Sequence, residues 1–98
     1  MADYKTVSGK LKHGLKIGAE THYDFELREL TTQDLFDAED QASADKGLTF
    51  NAALLTRQLV RVGTFSGPFT LAMIGKLKPA DYARLRKAQA ELDALGEA

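Results

Sequence analysis

The 98-residue sequence contains no cysteine. Disulfide bonds, thiolate nucleophiles and cysteine-based zinc sites are therefore excluded. No apolar run approaches the roughly 20 residues that span a membrane, and the opening MADYKTVSGK lacks the apolar core of a signal peptide. We therefore expect a cytoplasmic protein.

The chain also has little net charge: 13 basic residues stand against 14 acidic ones, for a net charge of −1. Its densest basic stretch, Lys10 to Lys16, is short, so electrostatics do not favour nucleic-acid binding. A hydrophobic content of 44% and a charged content of 28% are ordinary for globular proteins. We predict a single α+β domain over residues 1–98.

Apolar and polar residues alternate through the first third of the chain. This period of two predicts strands at 4–12 and 20–29, paired as an antiparallel hairpin. The segment 13–19, which contains Gly14 and Gly18, is either a loop or a short extra strand. Because an isolated hairpin is marginal in water, its apolar face must pack against a helix.

Helical spacing replaces the alternation after residue 30. Thr31 is a suitable N-cap, and Asp34 stands at the third helical position, where it can complete a capping box. In the last helix, Leu85 and Leu92 belong to an apolar stripe that we expect to cover the hairpin. The predicted helices cover residues 32–44, 50–62, a short 70–76, and 79–95.

Four carboxylates lie within seven positions in the stretch LRELTTQDLFDAED: Asp34, Asp37, Glu39 and Asp40. A calcium loop would need an irregular chain with a turn-making glycine, whereas this pattern is helical and has none. No Glu-x-x-His pair accompanies it. We interpret the stretch as a capped helix start with a solvated face, and we predict no metal ligand and no cofactor.

Candidate catalytic groups are few. His13 and His22 are the only histidines, and we expect His22 on the polar face of its strand. No phosphate-binding glycine motif and no nucleophile elbow is present. We therefore predict no catalytic residue and no enzymatic activity.

The segment after Gly63 is unusually rich in large apolar residues, which lie at 65, 69, 71, 73, 74 and 77. They either fill the core under the hairpin or form a surface for a partner. The candidate partner surface lies between the second helix and this segment. Its predicted residues are Phe50, Leu54, Phe65, Phe69 and Met73.

The order of these features resembles that of the small tail assembly chaperones of Mu-like tailed phages and prophages. The resemblance covers roughly residues 7 to 95 and rests on two stretches, LRELTTQDLFDAED and LKPADYARLRKAQAELDAL. Each motif is a capping or packing signal, so order and spacing carry the match. The matching residues are Leu27, Arg28, Glu29, Thr31, Asp34, Asp81 and Tyr82.

The resemblance implies a non-structural helper in the bacterial host cell that is absent from the mature virion. Such a protein binds the tape measure protein, keeps it soluble and assists tail tube assembly, and many members are also made in a longer frameshifted form. We also expect self-association, through a free strand edge or an apolar helix face. The alternative function is a small nucleic-acid-binding regulator, in which Arg57 and Arg61 of the second helix approach phosphates.

Overall fold

The computed structural model describes residues 5–43 and 45–96, and it confirms the α+β class. The predicted hairpin is present, and helices follow it. Residues 4 and 44, the predicted ends of the first strand and first helix, lie outside the described residues. In chain order the elements are β1 (Thr6–Ile17), β2 (Glu20–Arg28), α1 (Thr32–Gln41), α2 (Gly47–Gln58), β3 (Leu59–Val62), α3 (Leu71–Gly75) and α4 (Pro79–Gly96).

The two long strands pair antiparallel, with Val7 opposite Leu27. The pairing register shifts between Lys10 and Leu15, so β1 bulges there and then continues. Residues 13–17 are thus neither a loop nor a separate strand. Gly14 lies in the bulge with a φ of +88°, a conformation that glycine adopts without steric cost.

The end of the second helix was predicted wrongly. The prediction gave a helix over 50–62, but α2 ends at Gln58 and residues 59–62 form β3, which pairs with the free edge of β2. The sheet therefore has the order β1-β2-β3. The three-residue spacing of Leu59 and Val62 is typical of a helix, whereas in a regular strand it would place them on opposite faces. Both are buried in β3 because the register with β2 shifts between Glu26 and Leu27. Pairing with β2 overrides the helical spacing because it satisfies backbone groups of both strands.

The main core lies between the sheet and α4. Leu85 and Leu92 of α4 are buried in one cluster with Phe25 and Leu27 of β2, as predicted. A smaller cluster joins α1 to α2 around Ala38. None of the helices within 5–43 and 45–96 is long and apolar enough to cross a membrane.

Two buried glutamines connect β2, α2 and α4. Gln58 donates from Nε2 to the carbonyl oxygen of Arg28 at 3.1 Å, and Gln89 donates to Gln58 Oε1 at 2.8 Å. Both side chains are almost fully buried, and these bonds offset the cost of removing the amides from water. The ends of β2 and α2 are thereby fixed to the middle of α4.

Candidate partner-binding groove

An apolar groove of about 440 Å³ opens between α2, α3 and the start of α4. Its size is within the usual range for ligand pockets. Ala52 of α2 and Ile74 of α3 are buried at its base, whereas Leu71 and Leu77 are only half-buried. The walls are completed by Leu48, Thr49, Gly75, Pro79 and Tyr82.

The groove exists because α3 is too short to cover α2. Thr70 caps α3 by accepting the backbone N–H of Met73 at 3.2 Å, and the helix ends five residues later at Gly75. Pro79 then begins α4, where its fixed φ suits the first helical position. The small side chain of Ala52 and the lack of a side chain at Gly75 leave space between the three helices.

Tyr82 connects α4 to α2 at the groove. Its hydroxyl donates to the backbone carbonyl of Leu48 at 2.7 Å. Burial raises the pKa of Tyr82, and the nearby positive charge of Arg86 lowers it by less, so the net shift is upward. The hydroxyl therefore remains a protonated donor at neutral pH and keeps the start of α2 against α4.

Leu48 projects at the rim of the groove. Its side chain is 75% exposed, more than any other large apolar residue among those described. Leu71 and Leu77 present further apolar area beside it. Contiguous exposed apolar area is typical of interaction surfaces, so the geometry favours a protein or peptide partner.

Four of the five residues predicted for the partner surface are divided between two clusters. Leu54 is buried in the α1–α2 cluster and Phe50 packs against it, whereas Phe69 and Met73 pack against the main core. Phe65 stacks edge-on against Phe69, with ring centroids 5.2 Å apart. None of the five lines the groove, although the groove lies where they were expected, between α2 and the segment after Gly63. Their contact with a partner stays a prediction.

The residues that do line the groove carried a weaker sequence signal. Leu71, Ile74 and Leu77 recur every third position, but within an apolar-rich segment this spacing does not distinguish groove residues from core residues. Only the shortness of α3, which a sequence pattern does not fix, leaves them beside an open space.

The acidic stretch begins a helix, as predicted. Thr31 Oγ1 accepts the backbone N–H of Asp34 at 3.2 Å, and Asp34 Oδ2 accepts that of Thr31 at 2.8 Å. This is a complete capping box. Glu39 and Asp40 are exposed, which agrees with the predicted solvated face.

Asp34 is an exception to that prediction, since its side chain is buried. Arg28, the last residue of β2, donates to both of its carboxylate oxygens, at 2.8 and 3.1 Å. Burial raises the pKa of Asp34, but the hydrogen bonds from Arg28 and Thr31 lower it by more, so the pKa lies below its usual range. Within the described residues, no group of three or more His, Asp or Glu side chains is arranged to hold a metal ion.

The groups considered for catalysis or phosphate binding make internal contacts. His22 is half-buried beside Gly63, and a side chain at that glycine would collide with its ring. Arg57 donates to Gln41 Oε1 at 2.8 Å. Arg61 forms an ion pair with Glu26 at 3.5 Å. The two arginines proposed for nucleic acid are thus engaged by their own chain.

Comparison with known families gives a clear match. A profile of the family described as tail assembly protein gp41 matches residues 11–98. The chain belongs to this family. No solved structure matches it.

Three relatives in the gp41 family are similar along most of this chain. The probable tail assembly protein gp41 of Escherichia phage Mu is 38% identical over 81% of this chain and 65% of its own length. The probable tail assembly protein FS-gp41 of the same phage is also 38% identical, over 81% of this chain and 50% of its own length. The Mu-like prophage FluMu protein gp41 of Haemophilus influenzae Rd is 33% identical, over 76% and 68%. The match thus spans between half and two thirds of the phage Mu proteins.

The residues on which the family resemblance rests form hydrogen bonds between helices and strands. Arg28, Thr31 and Asp34 join the end of β2 to the start of α1. Asp81 and Tyr82 join the start of α4 to β1 and to α2. These residues therefore connect the helices and strands of this chain, and Tyr82 also lines the groove.

Proposed function

We propose that this protein is a phage or prophage tail assembly chaperone that binds the tape measure protein through the apolar groove and assists tail tube assembly. Membership of the gp41 family supports the assembly role. The open groove with Leu48 at its rim is the observation that supports binding of a partner. The proposed protein is non-enzymatic, acts in the bacterial cytoplasm and is absent from the mature virion.

The chemistry of the groove suits such a client. A tape measure protein is expected to present long helices with apolar stripes, and a helix of this kind docks by placing apolar side chains into a groove. Leu48, Leu71 and Leu77 would cover part of that stripe. Removing it from water would keep the client soluble until tube subunits assemble around it.

The test is co-expression of the tape measure protein with the parent chain or with Leu48→Asp. Because Leu48 is 75% exposed, this variant should fold normally while placing a charge in the groove. Leu95→Asp is the matched control, since Leu95 is also exposed and lies outside the groove lining. We expect the client to remain soluble with the parent and with Leu95→Asp, and to precipitate with Leu48→Asp.

Two results would contradict the proposal. Equal solubility of the client with Leu48→Asp and with the parent would show that the groove is not the binding site. In that case, Phe65→Asp and Phe69→Asp would test the surface predicted from sequence, after each variant is shown to fold. If the parent itself neither binds nor solubilises the client, the chaperone role fails.

A further inference from the structure

The mouth of the groove is positively charged although the whole chain is not. Apart from Tyr82, its walls come from segments 48–52 and 71–79. The only charged residues in these segments are Lys76 and Lys78, and Lys46 lies two positions before the first segment. All three lysines are exposed.

These lysines are close to the apolar walls. Lys76 and Lys78 alternate along the chain with Gly75, Leu77 and Pro79, which line the groove. A lysine carries its ammonium group on a flexible four-carbon stem that can lie along apolar surface. The lysines can therefore reach the flanks of a helix seated between α2 and α3.

Little negative charge opposes them. The nearest carboxylates along the chain are Asp45 and Asp81. Asp45 is exposed beside Lys46, whereas Asp81 is buried in hydrogen bonds to β1. Arg86 adds a further positive charge close to Tyr82. The groove thus has an apolar base and a rim on which cations predominate.

We propose that the groove selects an amphipathic helix whose apolar stripe is bordered by glutamate or aspartate. This inference rests on the proposed function, because it specifies the partner's chemistry at the same groove. Apolar contact alone would not discriminate between amphipathic helices. Complementary charge at the rim provides that discrimination, since like charges oppose docking and opposite charges accelerate it.

The experiment uses two synthetic helical peptides with the same length and the same leucine and phenylalanine stripe. One carries glutamate beside the stripe and the other carries lysine. Binding to the full chain is measured by fluorescence anisotropy at low and high salt. We expect the glutamate peptide to bind about tenfold more tightly at low salt, as three exposed ion pairs of ordinary strength would give. The difference should shrink as salt rises.

Two double variants separate local charge from net charge. In K76E/K78E the preference should be lost or reversed. The control is K16E/K87E, which changes the net charge by the same amount at exposed lysines outside the two segments that wall the groove; it should retain the preference. Leu48→Asp should weaken binding of both peptides.

Each other outcome has a definite meaning. Equal binding of the two peptides, lost in Leu48→Asp, would overturn the charge selection and leave the groove as a binding site. If binding of the glutamate peptide falls equally in both double variants, or if it persists in Leu48→Asp, the peptide binds outside the groove. Either result would overturn the inference. Displacement of the glutamate peptide by duplex DNA would indicate an unspecific anion surface, with the same consequence. If neither peptide binds the parent, the inference and groove binding both fail.

Discussion

Asp81 accepts a hydrogen bond at 3.0 Å from the backbone N–H of Gly14, 67 positions earlier in the chain. The same carboxylate accepts the N–H groups of Lys12 and His13 at 2.6 and 2.9 Å. A side chain at Gly14 would collide with Thr21, so glycine permits the bulge that directs three N–H groups at one anion. Such a concave run of N–H groups is a natural anion site, and here the chain fills it with its own carboxylate.

The first prediction concerns this anchor. Asp81→Asn keeps the size of the side chain but removes the charge and places an amide N–H₂ among three donors. We expect the free energy of unfolding to fall by about 1.5–3 kcal/mol, the range for a hydrogen bond to a charged group. Asp93→Asn is the control, because Asp93 lies on the same helix and is exposed. Urea unfolding checks the prediction, and equal midpoints for the two variants would refute it.

The second prediction is loss of stability in acid. Burial raises the pKa of Asp81, and the three backbone N–H groups lower it by more, so it lies below the ordinary value of 3.8. A carboxyl group whose pKa is lower in the folded state stabilises the fold above its unfolded pKa. That contribution is lost as the pH falls through the folded pKa. Asp34 acts in the same direction.

The free energy of unfolding should therefore decrease as the pH falls below about 4. Chemical denaturation at a series of pH values measures this decrease. In Asp81→Asn the decrease should be smaller, since one of the two contributing carboxyl groups is gone. An unchanged slope in that variant would mean that Asp81 does not contribute to acid sensitivity.

The third prediction concerns the start of α1. Thr31→Ala removes the oxygen that accepts the N–H of Asp34 and should cost about 0.5–2 kcal/mol. Thr32→Ala is a matched control, since Thr32 is exposed at the first helical position and the cap is Thr31. Thermal unfolding of both variants would decide the matter. A larger loss in Thr32→Ala would contradict the assignment of the cap.

Signals that act over a few residues made the capping box and the hairpin predictable. Thr31 and Asp34 are three positions apart, and alternation along β1 and β2 specifies which face is buried. The stripe containing Leu85 and Leu92 was equally clear, because helical periodicity alone shows which residues face the core.

Contacts between distant segments could not be predicted in the same way. A carboxylate in the first turn of a helix is explained locally by the helix dipole, so nothing in the sequence required Asp81 to reach β1. The identity of β3 depended on the free edge of β2, and the burial of Asp34 depended on where Arg28 ends its strand. The place of the groove was predicted but its lining residues were not, because the exposure of Leu48 depends on how much of α2 the short α3 covers.

The last prediction concerns self-association, which was expected through a strand edge or a helix face. The outer side of β1 is partly occupied, since Asp81 takes three of its N–H groups and Arg84 donates to the carbonyl of Lys10 at 3.2 Å. On α1, by contrast, Phe36 is 57% exposed. An exposed aromatic side chain is the kind of anchor that dominates protein interfaces.

We therefore expect association through the exposed face of α1. Sedimentation velocity at several concentrations should show a reversible increase in mass, and Phe36→Asp should weaken it. Val60→Asp is the informative comparison, because Val60 is exposed on β3, the other edge strand of the sheet. Dissociation by Val60→Asp but not by Phe36→Asp would place the contact at β3 instead. A strict monomer at high micromolar concentration would contradict self-association by either route.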